Sequence, residues 1–500
     1  MERQWSDQQQ AIFNWFERGS GHLVVRARAG TGKTTTILEA INFAPEQDIM
    51  LCAFNKRIAE ELTGRLRNPR AAAKTLHGLG FALVRRQWTN IRVDSDRGFR
   101  LAKRAYAADR GGSAENAPDY PASLINRLAS VVKNTCPTSP SLEQVIDLAY
   151  AYNIVPENGW EESLGVQDVA QMALTACALA LDRDGTIDFD DMVWLPVAQR
   201  WLRTMHDLIV VDEAQDMNAV QLALAVGLCR GRVAVVGDDK QAIYAFRGAD
   251  AGALDRLKAE LDATELPLTV TYRCPKRVVA LAQPLCPDFI AADAAPEGVV
   301  QAMGEAEMLK ALEPSDFMLS RLNAPLARIC LALYRAGKAA RIEGRDLTKS
   351  LAALIRRQKT EDLPELLARL HRWTEREVDK LRATKRQAAQ VRVDALYDLV
   401  ETIEALTEGL ATTTELLARI DEMFGDRRGP CIVLSTVHRA KGLEAPRVFL
   451  LADTLYCNGK RHTEEETNIH YVGITRAKEV LVLVSDKNKG DGRCGGSSSS

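Results

Sequence analysis

The sequence predicts an α/β protein with two parallel β-sheets, each interrupted by a mainly helical insertion. Short apolar runs rich in β-branched residues recur along the chain, helical patterns alternate with many of them, and two long segments lack clear strands. Alternating strands and helices are typical of open parallel sheets, whose strands are buried on both faces. Because 500 residues are too many for one hydrophobic core, we expect at least two domains.

Strand and helix patterns alternate through most of the chain. Helical periodicity is clear over Thr34–Phe43, Lys56–Arg67 and Asn323–Ala336. The number of apolar runs suits two sheets better than one. The nine predicted strands are His22–Ala27, Asp48–Ala53, Asp207–Asp212, Arg232–Gly237, Leu266–Thr271, Asp316–Ser320, Cys431–Thr436, Arg447–Ala452 and Glu479–Ser485.

Two stretches break this alternation and predict helical insertions. The first contains the loop sequence GGSAENAPDYP and lacks clear strands, and the second is helix-patterned and dense in charge. Such a charged helix is either a solvated face or a surface that contacts a duplex or a partner. The predicted boundaries are 1–84 and 187–265 for the first domain, 85–186 for its insertion, 266–350 and 427–486 for the second domain, 351–426 for its insertion, and 487–500 for a disordered Gly/Ser-rich tail.

Cysteine usage and hydropathy predict a cytoplasmic protein. Ten cysteines are scattered without a CxxC pair, which argues against a disulfide scaffold or a zinc site. No apolar run reaches the roughly 18 residues of a membrane span, and the first residues, MERQWSDQQQ, are unlike a secretory signal. We expect a location at a nucleoid or, for a viral protein, inside the host cell. The net charge of −2 does not exclude nucleic acid, because basic groups can concentrate in one groove.

A phosphate-binding loop follows the first predicted strand. The segment ARAGTGKT leads into a helix, and its small residues allow backbone N–H groups to surround phosphates at the helix N-terminus. Lys33 is predicted to contact the β- and γ-phosphates, and the Thr34 hydroxyl to bind Mg²⁺. The residues predicted to line the nucleotide phosphates are Ala27, Arg28, Ala29, Gly30, Thr31, Gly32, Lys33, Thr34 and Thr35.

An acidic segment, DEAQD, follows the predicted strand Asp207–Asp212. Carboxylates at the C-terminal end of a parallel strand lie at the sheet edge where ligands bind. Asp212 is predicted to be a Mg²⁺ partner, and Glu213 the base that orients the attacking water. Alone, two acidic residues after a strand could be a solvated loop or a helix cap. Together with the P-loop they predict hydrolysis of a nucleoside triphosphate.

A third segment, VVGDDKQAIYAFRGA, again places carboxylates after a strand. Together with DEAQD it resembles the UvrD/Rep/PcrA group of superfamily 1 helicases. The resemblance implies two RecA-like P-loop domains and an ATP- and Mg²⁺-dependent translocase on single-stranded DNA that also unwinds duplexes. The form of the third segment implies 3′→5′ polarity. Further segments that match in order are DQQQ at 7–10, CAFNKRIAEEL at 52–62, TLHG at 75–78, DFDDM at 188–192, TYR at 271–273, STVHRAKGLE at 435–444 and HYVGITRAK at 470–478.

The resemblance also implies catalytic roles for residues outside the P-loop. Gln241 would present its amide to the γ-phosphate, although a glutamine at a helix start can also cap locally. Arg273 and Arg476, from the second sheet, would stabilise the transferring phosphoryl group, which suits a planar guanidinium. Hydrolysis would then depend on domain closure. The alternative is that either arginine pairs with a surface carboxylate.

The resemblance further implies how the base and sugar of ATP are bound. Tyr272 would stack on the adenine, and Gln9 would bond its edge. Gln8 is an alternative for that role, because the run of three glutamines leaves the register open. The carboxylate of Glu444 would lie near the ribose.

A strand-binding groove of aromatic and basic side chains is expected, because stacking contributes about 1–3 kcal/mol per base and tolerates any sequence. Taken singly, such aromatics lie more often in a core. The motif positions favour Phe54 and Phe246 for stacking, and Tyr244 less clearly. The candidates for phosphates and sugars are Asn55, Lys56, Thr75, His77, Arg247, Thr436 and His438.

Some features depart from the family pattern. Arg28 stands where relatives usually carry glycine, and AFNK with FRGA is more similar to the F-box DNA helicase branch. The second insertion is much shorter than the family's regulatory subdomain, so translocation is predicted more firmly than unwinding. The alternatives are an ATPase switch that binds nucleic acid without stepping and an RNA-directed motor. The expected partners are single-stranded DNA, single-/double-strand junctions and a recruiting protein, in DNA repair or replication.

Overall fold

The computed structural model describes two compact units. The described residues are 4–53, 55–152, 154–156, 164–243, 252–383, 387–424, 429–455 and 463–485. The predicted disordered tail, 487–500, therefore lies outside them. The first unit comprises Met1–Arg28 with Gly32–Leu268, and the second comprises Ala29–Thr31 with Thr269–Ser500.

The first unit is built on a parallel β-sheet. Its strands are β1 (Leu23–Ala27), β2 (Ile49–Ala53), β3 (Ala71–Thr75), β4 (Arg92–Val93), β5 (Thr186–Ile187), β6 (His206–Val211), β7 (Cys229–Gly237) and β8 (Thr264–Leu268). Six of them form one sheet in the order β3-β2-β6-β7-β1-β8, and β4 pairs with β5 separately. All described pairings in the six-stranded sheet are parallel. Loops that follow its strands therefore emerge at one edge.

Helices cover both faces of this sheet. They are α1 (Asp7–Arg18), α2 (Lys33–Ala40), α3 (Lys56–Arg65), α4 (Leu76–Gln87), α5 (Arg97–Arg110), α6 (Asp119–Thr135), α7 (Leu142–Ala151), α8 (Val166–Ala180), α9 (Phe189–Ala198), α10 (Ala219–Gly227) and α11 (Ala253–Glu260). Successive strand residues point to opposite faces. Accordingly Leu23 and Val25 pack with α1, α2 and α3, while Val24 packs with α4, α9 and α10. Both faces are buried, as expected for a parallel sheet.

The helices α5 to α8 form the insertion of the first unit and are fixed to α9 by buried charges. The Arg97 side chain is fully buried and its Nη1 lies 2.5 Å from Asp191 Oδ2. Lys133 Nζ lies 2.7 Å from the other oxygen of Asp191 and 3.3 Å from Asp188. Breaking one partner of such a buried pair typically costs about 3–5 kcal/mol, because an unpaired charge remains. Two of the acidic residues in DFDDM therefore have a structural role.

The second unit is built on another parallel sheet. Its strands are β9 (Val270–Thr271), β10 (Ile290–Ala291), β11 (Val299–Met303), β12 (Phe317–Ser320), β13 (Ala340–Ile342), β14 (Ile432–Thr436), β15 (Ala445–Leu451) and β16 (Ala477–Val484). Six of these follow the order β11-β16-β15-β12-β14-β13, and β9 pairs with β10. The described pairings are again parallel.

The helices of the second unit include an insertion that shares its core with the sheet. They are α12 (Lys276–Ala282), α13 (Glu305–Ala311), α14 (Asn323–Arg335), α15 (Arg345–Arg357), α16 (Leu363–Ala383), α17 (Gln387–Thr407), α18 (Thr413–Phe424) and α19 (Glu464–Ile474). Leu366 and Ile403 of the insertion helices pack in one cluster with Met318 and Leu434 of the strands. The Asp398 carboxylate on α17 accepts backbone N–H groups at the start of α14. This bond anchors the insertion to the α/β core.

The predicted fold class is confirmed, although several strands were missed or merged. The structure adds β3, β10, β11 and β13, and the short pair β4 and β5 lies in or at the end of a stretch predicted to lack strands. The predicted strand Leu266–Thr271 is in fact two, because β8 ends at Leu268 and pairs with β1, whereas β9 begins at Val270 and pairs with β10. Among the described helices, none is long and apolar enough to cross a membrane.

Candidate nucleotide and nucleic-acid sites

The loops that carry the predicted nucleotide residues of the first unit follow three neighbouring strands. Strands β6, β7 and β1 lie side by side and run parallel. The P-loop follows β1, Asp212 and Glu213 follow β6, and Asp238 follows β7. These loops therefore meet at the carboxyl edge of the sheet, where open α/β sheets bind ligands.

The P-loop turns through two glycines before α2 begins. Gly30 has a φ of 70° and Gly32 a φ of 78°, in the left-handed region that favours glycine. Because α2 begins at Lys33, the loop ends at a helix N-terminus whose N–H groups favour an anion. Thr35 Oγ1 accepts a hydrogen bond from Arg65 at 3.2 Å. The loop fits a nucleotide phosphate, and its buried members are Ala27, Arg28, Ala29 and Thr31.

Lys33 and Thr34, at the start of α2, contact the acidic pair after β6. Thr34 Oγ1 donates to Asp212 Oδ2 at 3.0 Å, and Lys33 Nζ lies 3.2 Å from Glu213 Oε2. A hydroxyl and a carboxylate are the kind of oxygen ligands that Mg²⁺ takes beside a nucleotide phosphate. The residues present therefore fit a bound Mg²⁺ held by Thr34 and Asp212.

Burial and neighbouring charges shift the pKa values of this cluster. Burial would lower the pKa of Lys33, but the carboxylates of Glu213, Asp238 and Asp212 outweigh it and raise that pKa above its ordinary value. Lys33 therefore remains a cation at physiological pH. Burial, followed by the charge of Glu213, raises the pKa of Asp212 to about 6. A metal cation at this position would favour the charged carboxylate.

Glu213 has a backbone conformation that is unusual for a residue with a side chain. Its φ is 52° and its ψ is 43°, and such conformations are concentrated at functional sites. Its Oε2 accepts a hydrogen bond from Gln215 Nε2 at 2.6 Å. The backbone N–H of Asp238 donates to Gln215 Oε1 at 2.9 Å. Gln215 therefore joins the loops after β6 and β7. Gln215 is not among the residues predicted from the sequence, although its position within DEAQD could have indicated it.

Gln241, predicted to contact the γ-phosphate, is bonded to a buried carboxylate in this structure. Its Nε2 donates to Asp238 Oδ2 at 2.5 Å. Burial raises the pKa of Asp238 although Lys33 and Arg28 oppose the shift. Burial would also raise the pKa of Asp239, but Arg28 and Arg26 together outweigh it and hold that pKa below its ordinary value. The Arg28 side chain thus neutralises acidic residues of the loop after β7.

The two candidate glutamines and the candidate tyrosine for adenine differ in exposure. Gln9 is buried, and its Nε2 donates to Thr36 Oγ1 on α2 at 2.9 Å. A Cβ added to Gly32 would lie 3.9 Å from that same Nε2, so the Gln9 amide lies beside the P-loop. Gln8 is only half-buried. Tyr272 is 51% exposed as a residue, which leaves it accessible for stacking.

The predicted nucleotide residues of the second unit form a charged cluster. Arg273 Nε lies 2.5 Å from Glu444 Oε2, and Lys478 pairs with the same carboxylate. Burial would raise the pKa of Glu444, but Lys478 and Arg273 outweigh it and hold the pKa below its ordinary value. Arg476 is 1% exposed, and its Nε donates to the Val472 carbonyl at 2.9 Å. Glu444 and Arg476 immediately precede the paired strands β15 and β16.

Two candidate strand-binding segments begin helices at the carboxyl edge of the first sheet. Strands β2 and β3 are adjacent, and Asn55 and Thr75 are the N-caps of α3 and α4. Each side-chain oxygen accepts a backbone N–H three residues further on, at 2.9 and 3.0 Å. Lys56 is exposed. Burial lowers the pKa of His77 despite the charge of Asp190, so the ring is neutral at neutral pH. These helix starts are suited to phosphate groups.

The remaining candidate strand residues belong to two groups. In the second unit, Thr436 ends β14 and is buried, while His438 lies in the following turn and is half-buried. The other candidates lie outside the described residues, and they are Phe54, Tyr244, Phe246 and Arg247.

An exposed aromatic side chain that the sequence analysis did not single out lies in DFDDM. Phe189 begins α9 and is 59% exposed, whereas Asp191 of the same segment is fully buried. Helix α9 packs against α4, whose first turn carries His77. An exposed ring near helix starts of this kind can stack on bases. The aromatic within a matched motif was the signal that could have found it.

Comparison with known proteins identifies relatives for both units. The model of the UvrD/REP helicase N-terminal domain matches residues 5–262, and that of the UvrD-like helicase C-terminal domain matches residues 260–488. The ATP-dependent DNA helicase UvrD2 of Mycobacterium tuberculosis is 26% identical over 551 aligned residues, which cover 93% of this chain and 76% of UvrD2.

Two further relatives are considerably longer than this chain. F-box DNA helicase protein 1 of Schizosaccharomyces pombe is 24% identical, with 92% of this chain and 55% of that protein covered. DNA helicase II of Escherichia coli is 26% identical over 368 residues, with 64% of this chain and 47% of that protein covered. The matched regions thus span about half the length of these two relatives.

Proposed function

Because the chain belongs to the UvrD/Rep-type superfamily 1 helicases, we propose that it is an ATP-driven translocase on single-stranded DNA and a 3′→5′ DNA helicase. The observation that carries this proposal is the order of strands in the first sheet. Nucleotide loops follow β6, β7 and β1, and candidate strand-binding helices follow β2 and β3, all at one sheet edge. A change at the nucleotide can therefore reach the strand-binding helices through neighbouring loops.

The nucleotide chemistry follows from the contacts of the first unit. Lys33 neutralises the β- and γ-phosphates, and its cationic form is favoured by the surrounding carboxylates. Thr34 and Asp212 would hold Mg²⁺, which would supply positive charge beside the transferring phosphoryl group. Glu213, partly exposed and held by Gln215, orients the attacking water and accepts its proton. Gln241 responds to the γ-phosphate.

The second unit supplies the remaining nucleotide residues in this proposal. Arg273 and Arg476 stabilise the charge that develops on the phosphoryl group, for which planar guanidinium groups are suited. Glu444 holds Arg273 in position through the 2.5 Å ion pair. Tyr272 stacks on adenine, and Gln9, rather than Gln8, bonds its edge because it lies beside the P-loop.

Single-stranded DNA is the proposed substrate, and a single-/double-strand junction is the site of unwinding. The starts of α3 and α4 contact phosphates through Asn55, Lys56, Thr75 and His77, without reading sequence. Phe189 adds a stacking surface. Thr436 and His438 contact the strand from the second unit. The candidates outside the described residues, Phe54, Tyr244, Phe246 and Arg247, remain part of the proposed strand contacts. A recruiting protein partner is also part of the proposal, since the second insertion is short.

Strand displacement on tailed duplexes tests polarity and substrate together. With ATP and Mg²⁺, the protein is expected to unwind a duplex with a 3′ single-stranded tail but neither a 5′-tailed nor a blunt duplex. ATP hydrolysis should rise with single-stranded DNA and less with RNA of the same sequence. Unwinding of 5′-tailed duplexes alone would contradict the polarity, and stronger stimulation by RNA would instead indicate an RNA-directed motor.

A further inference from the structure

We propose that Arg28 is a positioning residue that allows Gln241 to leave Asp238 for the γ-phosphate, so that the site distinguishes ATP from ADP. This inference rests on the proposed function, in which Gln241 responds to the γ-phosphate. The inference goes beyond that function because it assigns a role to the Arg28 side chain. Relatives usually carry glycine, which has no side chain, at this position of the P-loop.

The Arg28 side chain is buried against the loop after β7. Its Nη1 lies 2.7 Å from Asp239 Oδ1 and 3.3 Å from Asp238 Oδ1. Its backbone N–H donates to the carbonyl of Leu268, the last residue of β8, at 2.8 Å. The Arg28 side chain is 6% exposed and that of Asp238 is 0% exposed. Solvent therefore contributes little to the pairing of the Asp238 carboxylate.

Asp238 belongs to a chain of polar contacts that links the two ends of the P-loop. Its carboxylate accepts from Gln241, and its backbone N–H donates to Gln215. Gln215 donates to Glu213, which lies 3.2 Å from Lys33. The chain of contacts thus begins at one end of the P-loop, at Arg28, and returns to its other end.

Asp238 loses one hydrogen-bond donor when Gln241 moves, but it keeps Arg28. One of the two amide N–H groups of Gln241 donates to Asp238 in the present structure. In the proposal the side chain turns towards the γ-phosphate and this bond to Asp238 is lost. A buried carboxylate that loses a donor is destabilised unless another group satisfies it. Arg28 remains beside Asp238, and a guanidinium presents several donors in one plane. The exchange of partners is therefore less costly with Arg28 than without it.

Binding of ADP does not require Gln241 to exchange Asp238 for a phosphate, because ADP has no γ-phosphate. Gln241 would keep its bond to Asp238 with ADP bound, and Arg28 would contribute equally to the free and bound states. Loss of Arg28 should therefore weaken binding of ATP much more than binding of ADP. A residue that only supported the fold of the P-loop would affect both nucleotides alike.

Arg26, on the same strand, provides a matched control. It pairs with Asp239 at 3.2 Å and with Glu265 at 2.9 Å, and Asp255 is a further partner. It is an arginine of the same strand and shares one carboxylate with Arg28. Among the described residues Arg26 pairs with Asp239, Asp255 and Glu265, and not with Asp238. The substitution Arg26→Ala should therefore remove comparable ion pairs without changing the preference between ATP and ADP.

The test measures the affinities of a non-hydrolysable ATP analogue and of ADP, both with Mg²⁺. Arg28→Ala is expected to lower the ratio of analogue to ADP affinity about tenfold, equivalent to about 1.4 kcal/mol. Arg28→Lys should recover part of the ratio, because it restores charge but not the planar donors. Arg26→Ala should leave the ratio at the wild-type value. An unchanged ratio in Arg28→Ala, or equal losses for both nucleotides, would overturn the proposal.

A second variant keeps the test decisive if Arg28→Ala folds poorly. In the double variant Arg28→Ala/Asp238→Asn a neutral amide replaces the buried carboxylate, so no arginine is needed to balance its charge. The ratio of analogue to ADP affinity in the double variant should be closer to the wild-type ratio than it is in Arg28→Ala. If Arg28→Ala does not fold, Arg28→Met takes its place, both as the single variant and in the double variant. A double variant no better than the single variant contradicts the coupling. DNA-stimulated hydrolysis by the wild type reports the proposed function separately, so the two failures are distinguishable.

Discussion

Replacing Lys33 with alanine is expected to abolish ATP hydrolysis. The Lys33 ammonium group is the cation of the P-loop, and its side chain is only 10% exposed. Without it the nucleotide phosphates would face Glu213, Asp212 and Asp238 with one positive charge fewer. Removal of one group that stabilises the transition state typically lowers kcat by about 10²–10³-fold. Weaker ATP binding should add to this loss.

Steady-state ATPase assays with and without single-stranded DNA measure this effect. Lys310→Ala is a suitable control, because Lys310 is an exposed lysine in the last turn of α13. Its activity should equal that of the wild type, and thermal unfolding should show that Lys33→Ala is folded. DNA-stimulated hydrolysis by Lys33→Ala within a few-fold of the wild type would show that the P-loop is not the nucleotide site.

Glu213→Gln is expected to separate nucleotide binding from hydrolysis. Glutamine has nearly the same shape but cannot accept a proton from the attacking water, and loss of a general base lowers kcat by about 10²–10⁴-fold. Lys33, Thr34 and Asp212 remain, so ATP and Mg²⁺ should still bind. The expected result is a protein that binds single-stranded DNA in the presence of ATP but hydrolyses the ATP very slowly.

Single-turnover hydrolysis and nucleotide titration measure the two properties in Glu213→Gln. Glu307→Gln is the matched control, since Glu307 is an exposed glutamate in the first turn of α13. If Glu213→Gln hydrolysed ATP at the wild-type rate, another group would have to be the base. If it failed to bind ATP, Glu213 would instead be needed to hold the cluster together.

The fold class could be predicted because buried parallel strands leave a strong local pattern. The runs that form β1, β2, β6 and β7 are apolar, and those of β1, β6 and β7 are rich in β-branched residues, so they are recognisable without tertiary information. The sequence AAAKT of β3 lacks that pattern. Only its pairing with β2 makes this segment a strand, and such long-range pairing is invisible in a local window.

The candidate site was predictable where one motif carries the chemistry, and less so where distant residues meet. Lys33 and Thr34 follow from the P-loop itself. The partners of Arg28 lie more than two hundred positions along the chain, and no local pattern links them. In DFDDM the sequence marked a signature, but only the structure shows that Asp191 pairs with Arg97 and Lys133 while Phe189 is exposed.

The most direct test of an ATP-driven stepping motor is release of streptavidin from end-biotinylated single-stranded DNA. A 3′→5′ translocase should speed release from a 5′-biotin with ATP and Mg²⁺ and should leave release from a 3′-biotin at its spontaneous rate. Glu213→Gln should not accelerate streptavidin release from either end. The contradicting result is streptavidin release at the spontaneous rate from both ends while the same DNA strongly stimulates the wild-type ATPase. That result would indicate a nucleotide-dependent binding switch instead of translocation.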